Sequence, residues 1–177
     1  KYQSRLLAIN KYIENTEPKF CQKADLFTNE YHCSIEWSSP QQVIALFKHW
    51  GICPKEKSKQ TGKLEFSVSA KALSKLMPNN LKENFLKDIF PNDIEDINTF
   101  ILAYLMFKKS EQLITTFGKD WLKYVHPITY RVHPNYNQYM NTSRLSSNNP
   151  NIQNLPRTKN FRSCIESKDG LLICDDY

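Results

Sequence analysis

The longest regular pattern in the chain lies at residues 94–117, where Ile94, Ile97, Ile101, Leu105, Leu113 and Phe117 recur at a roughly helical period. A helix with such a stripe must be covered, so the fold has to supply other apolar faces. Residues 1–13 read as a helix with Leu6, Ile9 and Ile13 on one side. Ser39-Pro40-Gln41-Gln42 reads as a helix start: a serine cap, proline at the first helical position, and glutamine three after the cap. Val43, Ile44, Phe47 and Trp50 give that helix its apolar face, and Gly51 ends it. Residues 69–77 and 80–90 read as two short helices separated by Pro78. Ten Phe, nine Tyr and three Trp in 177 residues are enough for a core, in one domain or one and a piece of another.

The remaining stretches read less regularly. Residues 14–32 are polar and irregular, 33–37 read as a short strand, and 54–62 as a lysine-rich loop. Gly118 interrupts the long helix, and 121–125 read as one more helical turn. After Pro127 the character changes. Residues 130–133 and 136–140 read as an aromatic β-hairpin around Pro134-Asn135, and a loop follows. Gly170 then leads into a buried strand at 171–174, ending at Asp175-Asp176-Tyr177. The expected class is α+β, a helical first two-thirds followed by the edge of a sheet.

Several function classes find no support. No apolar run approaches the ~18 residues of a membrane span, and residues 1–13 are amphipathic rather than a signal peptide. The chain does not begin with Met, and the apolar run at 171–174 ought to continue, so it reads as part of something longer. Five cysteines without CxxC spacing predict reduced thiols rather than a disulfide framework or zinc site. There is no phosphate-binding glycine loop and no GxSxG. His126 and His133 are expected to pack or cap.

Two features point to a partner. Of nineteen Lys and five Arg, four arginines (Arg131, Arg144, Arg157, Arg162) fall within 32 residues. Arginine is the rigid fork suited to fixed bonding of phosphates and bases, whereas lysine is a mobile charge. Within that span, RLSSNNPNIQNLPR holds Asn148, Asn149, Asn151, Gln153 and Asn154 between Arg144 and Arg157, with no acid. Every base pair offers minor-groove acceptors that look much alike, and a sequence-tolerant reader would aim Arg, Asn and Gln donors at them. The alternative is a turn-forming surface loop, since Asn, Ser and Pro are turn residues. Asp175-Asp176 at the end of a buried strand likewise reads two ways: a solvated strand end, or carboxylates held where a hard cation can reach them.

The string Arg144-Leu-Ser-Ser-Asn-Asn-Pro-Asn-Ile-Gln-Asn-Leu-Pro resembles the RLSS-x-x-PNLQNIP signature of family A DNA polymerases, the bacterial polymerase I type, with viral members included. Arg131-Val-His133 and Tyr136-Asn-Gln138 resemble the GRVH…(F/Y)NQ hairpin of that family. Phe161-Arg-Ser-Cys164 resembles its R-x-(A/C)-F segment, and Gly170-Leu-Leu-Ile-Cys-Asp-Asp-Tyr177 its strand ending in DYSQIE. Leu113-Ile-Thr-Thr-Phe117 resembles the L-x-STY of the thumb tip, and the helix start at Ser39 the SPKQL…LG helix. The chain departs from the pattern at Ser143, which stands for a Gly, and in a short link between Pro156 and Arg162.

The resemblance implies a DNA-directed DNA polymerase fragment: 1–30 a linker or the end of an upstream domain, 31–130 a helical region including the thumb, and 131–177 the start of an antiparallel palm sheet. It implies Asp176 as a catalytic, metal-binding aspartate, with the Tyr177 carbonyl as a further ligand of two Mg2+ ions. It implies DNA contacts by Arg144, Asn151, Gln153, Asn154, Thr115, Thr116 and Arg157. The implied partners are primer-template DNA and deoxynucleoside triphosphates, in the cytoplasm of a bacterial or virus-infected cell, or in an organelle. The fingers and the second catalytic aspartate of the family are missing from these residues, so the fragment alone is expected to be inactive. The rival expectation is a non-catalytic duplex-DNA-binding module derived from a polymerase.

Overall fold

The computed structural model describes residues 1–24, 30–58, 62–139, 144–156, 161 and 163–165. The expectations for Arg157, Arg162, the strand at 171–174, Asp175, Asp176 and Tyr177 lie outside the described residues. The chain forms two compact units, Lys1–Gln112 and Leu113–Tyr177. Helices and two-stranded antiparallel ribbons make up the described residues, an α+β architecture.

The first unit is built on α1 (Tyr2–Thr16), α2 (Pro40–His49) and α5 (Ile97–Phe117), the last of which runs on into the second unit. Two short helices, α3 (Ala70–Ser74) and α4 (Asn79–Leu86), complete it. Ile9 and Ile13 of α1, with Val43, Leu46 and Phe47 of α2, are fully buried against α5. Residues 100–107 of α5 are buried all round, so its middle is a core helix rather than an amphipathic one. Phe100 sits at the centre, its ring 5.0 Å from Trp50, 5.3 Å from Tyr12, 5.9 Å from Trp37 and 6.4 Å from Phe47.

The helix ends follow local chemistry. α2 starts where expected, with Ser39 at the cap position and Pro40 first, but the Ser39 side chain makes no cap hydrogen bond. Gln42 accepts the Glu36 N–H at 2.7 Å instead of reaching back to Ser39. At the other end Gly51, with φ +71°, donates to Lys48 C=O, and Ile52 donates to Phe47 C=O. This is the paired closure that a left-handed glycine allows. The long helix starts three residues later than its apolar period suggests, because Asp96 and Thr99 cap it reciprocally: Thr99 N–H to Asp96 Oδ1, and Asp96 N–H to Thr99 Oγ1.

Three expectations for this unit are corrected. Residues 14–32 are not wholly irregular: β1 (Cys21–Lys23) pairs with β2 (Tyr31–Cys33). The strand expected at 33–37 ends at Cys33, although Ile35 and Trp37 are buried as an alternating pattern requires. Past the bond from Ser34 N–H to Phe20 C=O the opposite chain turns into a 3-10 helix (Pro18–Phe20), so no ladder partner remains. The lysine-rich loop at 54–62 is likewise half of a ribbon, β3 (Lys55–Lys57) paired with β4 (Leu64–Phe66). The ammonium groups of Lys48 and Lys55 lie 4.5 and 5.5 Å from the Phe66 ring centre, covering an otherwise exposed aromatic.

One buried charge ties α1 to α5. Arg5 is 5% exposed and donates to Met106 C=O at 2.9 Å, to Ser110 Oγ at 2.7 Å and to Asp88 Oδ1 at 3.0 Å. Partial burial by itself raises the Asp88 carboxyl, but the bonds from Arg5 and Lys1 and the nearby Lys109 outweigh it, so the group titrates below its ordinary value. A depressed folded-state pKa adds stability above the unfolded value and loses it as pH falls through the folded one. Unfolding temperature is therefore expected to drop as pH falls below about 4, and less steeply in Asp88→Asn. Parallel pH profiles of the two would show that Asp88 is not a source of the acid sensitivity.

Candidate functional site

The second unit carries the arginine and amide cluster. Its described residues begin with the last turn of α5, where Thr115 and Thr116 are exposed. Gly118 follows because nothing larger fits: a Cβ there would stand 2.2 Å from Ile114 C=O. The chain then makes a 3-10 helix (Lys119–Tyr124), close to the helical turn expected at 121–125.

Among the described residues the hairpin expected between 130–133 and 136–140 is not formed. Val132 bridges back to Val125, and β5 (Asn135–Asn137) pairs with β6 (Ser146–Asn148) instead. The reason is a turn at 127–129 that the aromatic pattern hides. His126 Nδ1 accepts the N–H groups of both Ile128 and Thr129, and Tyr130 N–H returns to His126 C=O. That closure folds residues 130–132 onto the chain before them. His126 thus caps, as expected, and its ring stands edge-on to His133 with centres 6.1 Å apart.

The amide loop therefore begins as a strand, in the register Asn135–Asn148, Tyr136–Ser147 and Asn137–Ser146. After it Asn149 takes φ +49° and the Asn149–Pro150 peptide is cis. Ser147, 3% exposed, sits at the hub. Its Oγ accepts from Ile152 N–H at 3.2 Å and Gln153 N–H at 3.4 Å, and donates to Asn151 Oδ1 at 3.3 Å. Gln153 bonds back along the strand: Oε1 accepts Ser147 N–H at 3.0 Å, and Nε2 donates to Leu145 C=O at 2.9 Å. Of the expected contact residues, Arg144, Asn151, Gln153 and Asn154 are brought together here, all exposed. The Gln153 carboxamide is engaged within the loop, whereas Arg144 and Asn154 make no hydrogen bond among the described residues.

Ser147 carried no role of its own in the sequence reading. An Asn four and a Gln six residues beyond it are the only advance signal. The electrostatic frame was passed over as well. Residues 121–165 contain no Asp or Glu, but hold Lys123, Arg131, Arg144, Arg157, Lys159 and Arg162. A 45-residue stretch with six positive charges and no acid has the charge balance that suits an anionic partner. Among the described residues no cluster of three His, Cys, Asp or Glu is positioned to hold a metal, and no helix is long and apolar enough to cross a membrane.

The sequence profile of DNA polymerase family A matches residues 7–177. DNA polymerase I of Bacillus subtilis (strain 168) is 33% identical over 148 residues, covering 79% of this chain and 14% of that protein. DNA polymerase I of Chloroflexus aurantiacus is 36% identical over 163 residues, covering 86% and 15%. The chain thus spans about one-seventh of the length of the relatives it matches. Among solved structures, the POL domain of Pol1 from M. smegmatis, in complex with DNA primer-template and dNTP, superposes with a TM-score of 0.54 at 24% identity. That likeness covers 91% of this chain and 23% of the other, and supports the fold.

Proposed function

Because the chain belongs to DNA polymerase family A, we propose that it forms the thumb and the beginning of the palm of a DNA-directed DNA polymerase. In this reading residues 1–30 link to an upstream domain, 31–130 include the thumb, and 131–177 start the palm. The observation that carries it is the acid-free, arginine-bearing stretch at 121–165, with an exposed amide loop that begins on a ribbon. Duplex DNA is an anion whose minor groove presents acceptors at every pair. Exposed Arg144, Asn151 and Asn154 supply donors for those acceptors. Gln153 shapes the loop from within, and contacts to the phosphates are assigned to Thr115, Thr116 and Arg157.

The reaction is attack of the primer 3′-hydroxyl on the α-phosphate of a deoxynucleoside triphosphate, with pyrophosphate leaving. The Asp176 carboxylate and the Tyr177 carbonyl are the hard oxygen donors that magnesium takes. Two such ions, when bound, would lower the pKa of the primer hydroxyl and neutralise charge on the leaving oxygens. The role of this chain is to seat the duplex so that the primer end lies beside those donors.

Primer extension by the complete gene product tests the reading. Arg144→Ala is expected to slow extension of a matched primer roughly 10- to 150-fold, since a lost charge-assisted hydrogen bond is worth ~1.5–3 kcal/mol. Unchanged extension would remove the minor-groove role from Arg144. A wild-type product that neither binds nor extends primer-template would overturn the reading as a whole.

A further inference from the structure

The hydrogen bonds around Ser147 have a consequence for what the loop displays. A hydroxyl has two acceptor lone pairs and one proton. Both lone pairs of Ser147 Oγ are taken by backbone donors, the N–H groups of Ile152 and Gln153. Its proton must then be given away, and the acceptor in place is Asn151 Oδ1. The Asn151 carboxamide is thereby polarised: its oxygen faces the loop, and its Nδ2 hydrogens form the edge left for a ligand. Gln153 secures this arrangement from the other side. Its carboxamide stands in for a neighbouring strand along the outer edge of β6, taking Ser147 N–H and feeding Leu145 C=O.

We propose that Ser147 is a positioning residue that makes Asn151 a donor-only contact to minor-groove acceptors, and that Gln153 acts through Ser147 rather than on DNA. The inference rests on the polymerase reading above. Its physical content is discrimination by polarity. Purine N3 and pyrimidine O2 are acceptors in every matched pair, so a contact that can only donate accepts any sequence. An asparagine free to flip would turn its carbonyl toward those same acceptors and be repelled.

The test is single-nucleotide incorporation by the complete gene product on primer-templates. Guanine is replaced by 3-deazaguanine, which lacks the N3 acceptor, at each duplex position near the primer end in turn. The wild type is expected to lose about tenfold in kcat/KM at the position Asn151 reads. Asn151→Asp keeps the bond from Ser147 but presents an oxygen to the DNA. It should be about tenfold slower on natural primer and indifferent to 3-deazaguanine at that one position. Ser147→Ala should show the same position-specific indifference, a change that loss of stability alone would not produce. Asn151→Asp alters an exposed side chain, so it tests the donor role on which the proposal depends even if Ser147→Ala fails to fold. Full wild-type rates in Asn151→Asp, or undiminished 3-deazaguanine sensitivity in a folded Ser147→Ala, would overturn the inference while leaving the polymerase reading intact. Absence of any primer extension by the wild type would instead overturn that reading, and this inference with it.

Discussion

Asp176→Ala in the complete gene product is expected to lower the rate of nucleotide incorporation by roughly a thousandfold or more, with duplex binding largely intact. The two effects separate because they depend on different charges. Duplex affinity comes from cations meeting phosphates and from donors in the groove, and Asp176 supplies neither. In the proposed reading incorporation depends on negative oxygens that concentrate divalent cations at the reacting centre, and alanine has none. Single-turnover incorporation at saturating DNA, measured beside a duplex-binding titration, reads both quantities. A variant with near-normal turnover would remove Asp176 from the chemistry. A variant that loses binding and turnover in equal measure would make it a residue of the fold.

The largest stability effect is expected from Phe100→Ala. The ring is fully buried and touches aromatic partners from α1, from α2 and its C-terminal end, and from the segment before α2. No single neighbour can move in without leaving another partner, so the cavity stays open and its cost adds to the lost burial. Truncations of this kind cost about 3–5 kcal/mol. Denaturant unfolding followed by tryptophan fluorescence is a suitable readout, because Trp37 and Trp50 lie against the missing ring. The midpoint should fall with the slope unchanged. A loss under about 1 kcal/mol would show that the four aromatics close over the gap.

How much was legible in advance varies along the chain, and particular residues show why. The apolar faces of α1, α2 and α5 are written in sequence spacing, because side chains three and four apart share a side of any helix. Ile9, Ile13, Val43, Phe47 and Ile101 were all readable as inward, and all are buried. The closure at Gly51 was equally local. The ribbons were not. Whether Tyr136 pairs with residues before it or with Ser147 depends on which partner comes into reach, and a two-residue period is silent on that. The turn held by His126 decided it by drawing residues 130–132 backward.

The candidate site divides in the same way. The order of Arg144, the amides and the acid-free frame around them is a property of the sequence alone, and charge acts whatever the backbone does. The arginines and amides were sufficient to single out the stretch and to see its resemblance to a polymerase family, although the full extent of the acid-free frame was passed over. Which amide faces outward and which is consumed within the loop was settled only by the tertiary structure. Gln153 and Asn154 are neighbours of nearly identical chemistry, yet one is bonded to Leu145 and Ser147 while the other makes no bond among the described residues. The difference is made by closing the loop around one buried hydroxyl, a contact between residues four to six apart that no periodicity encodes.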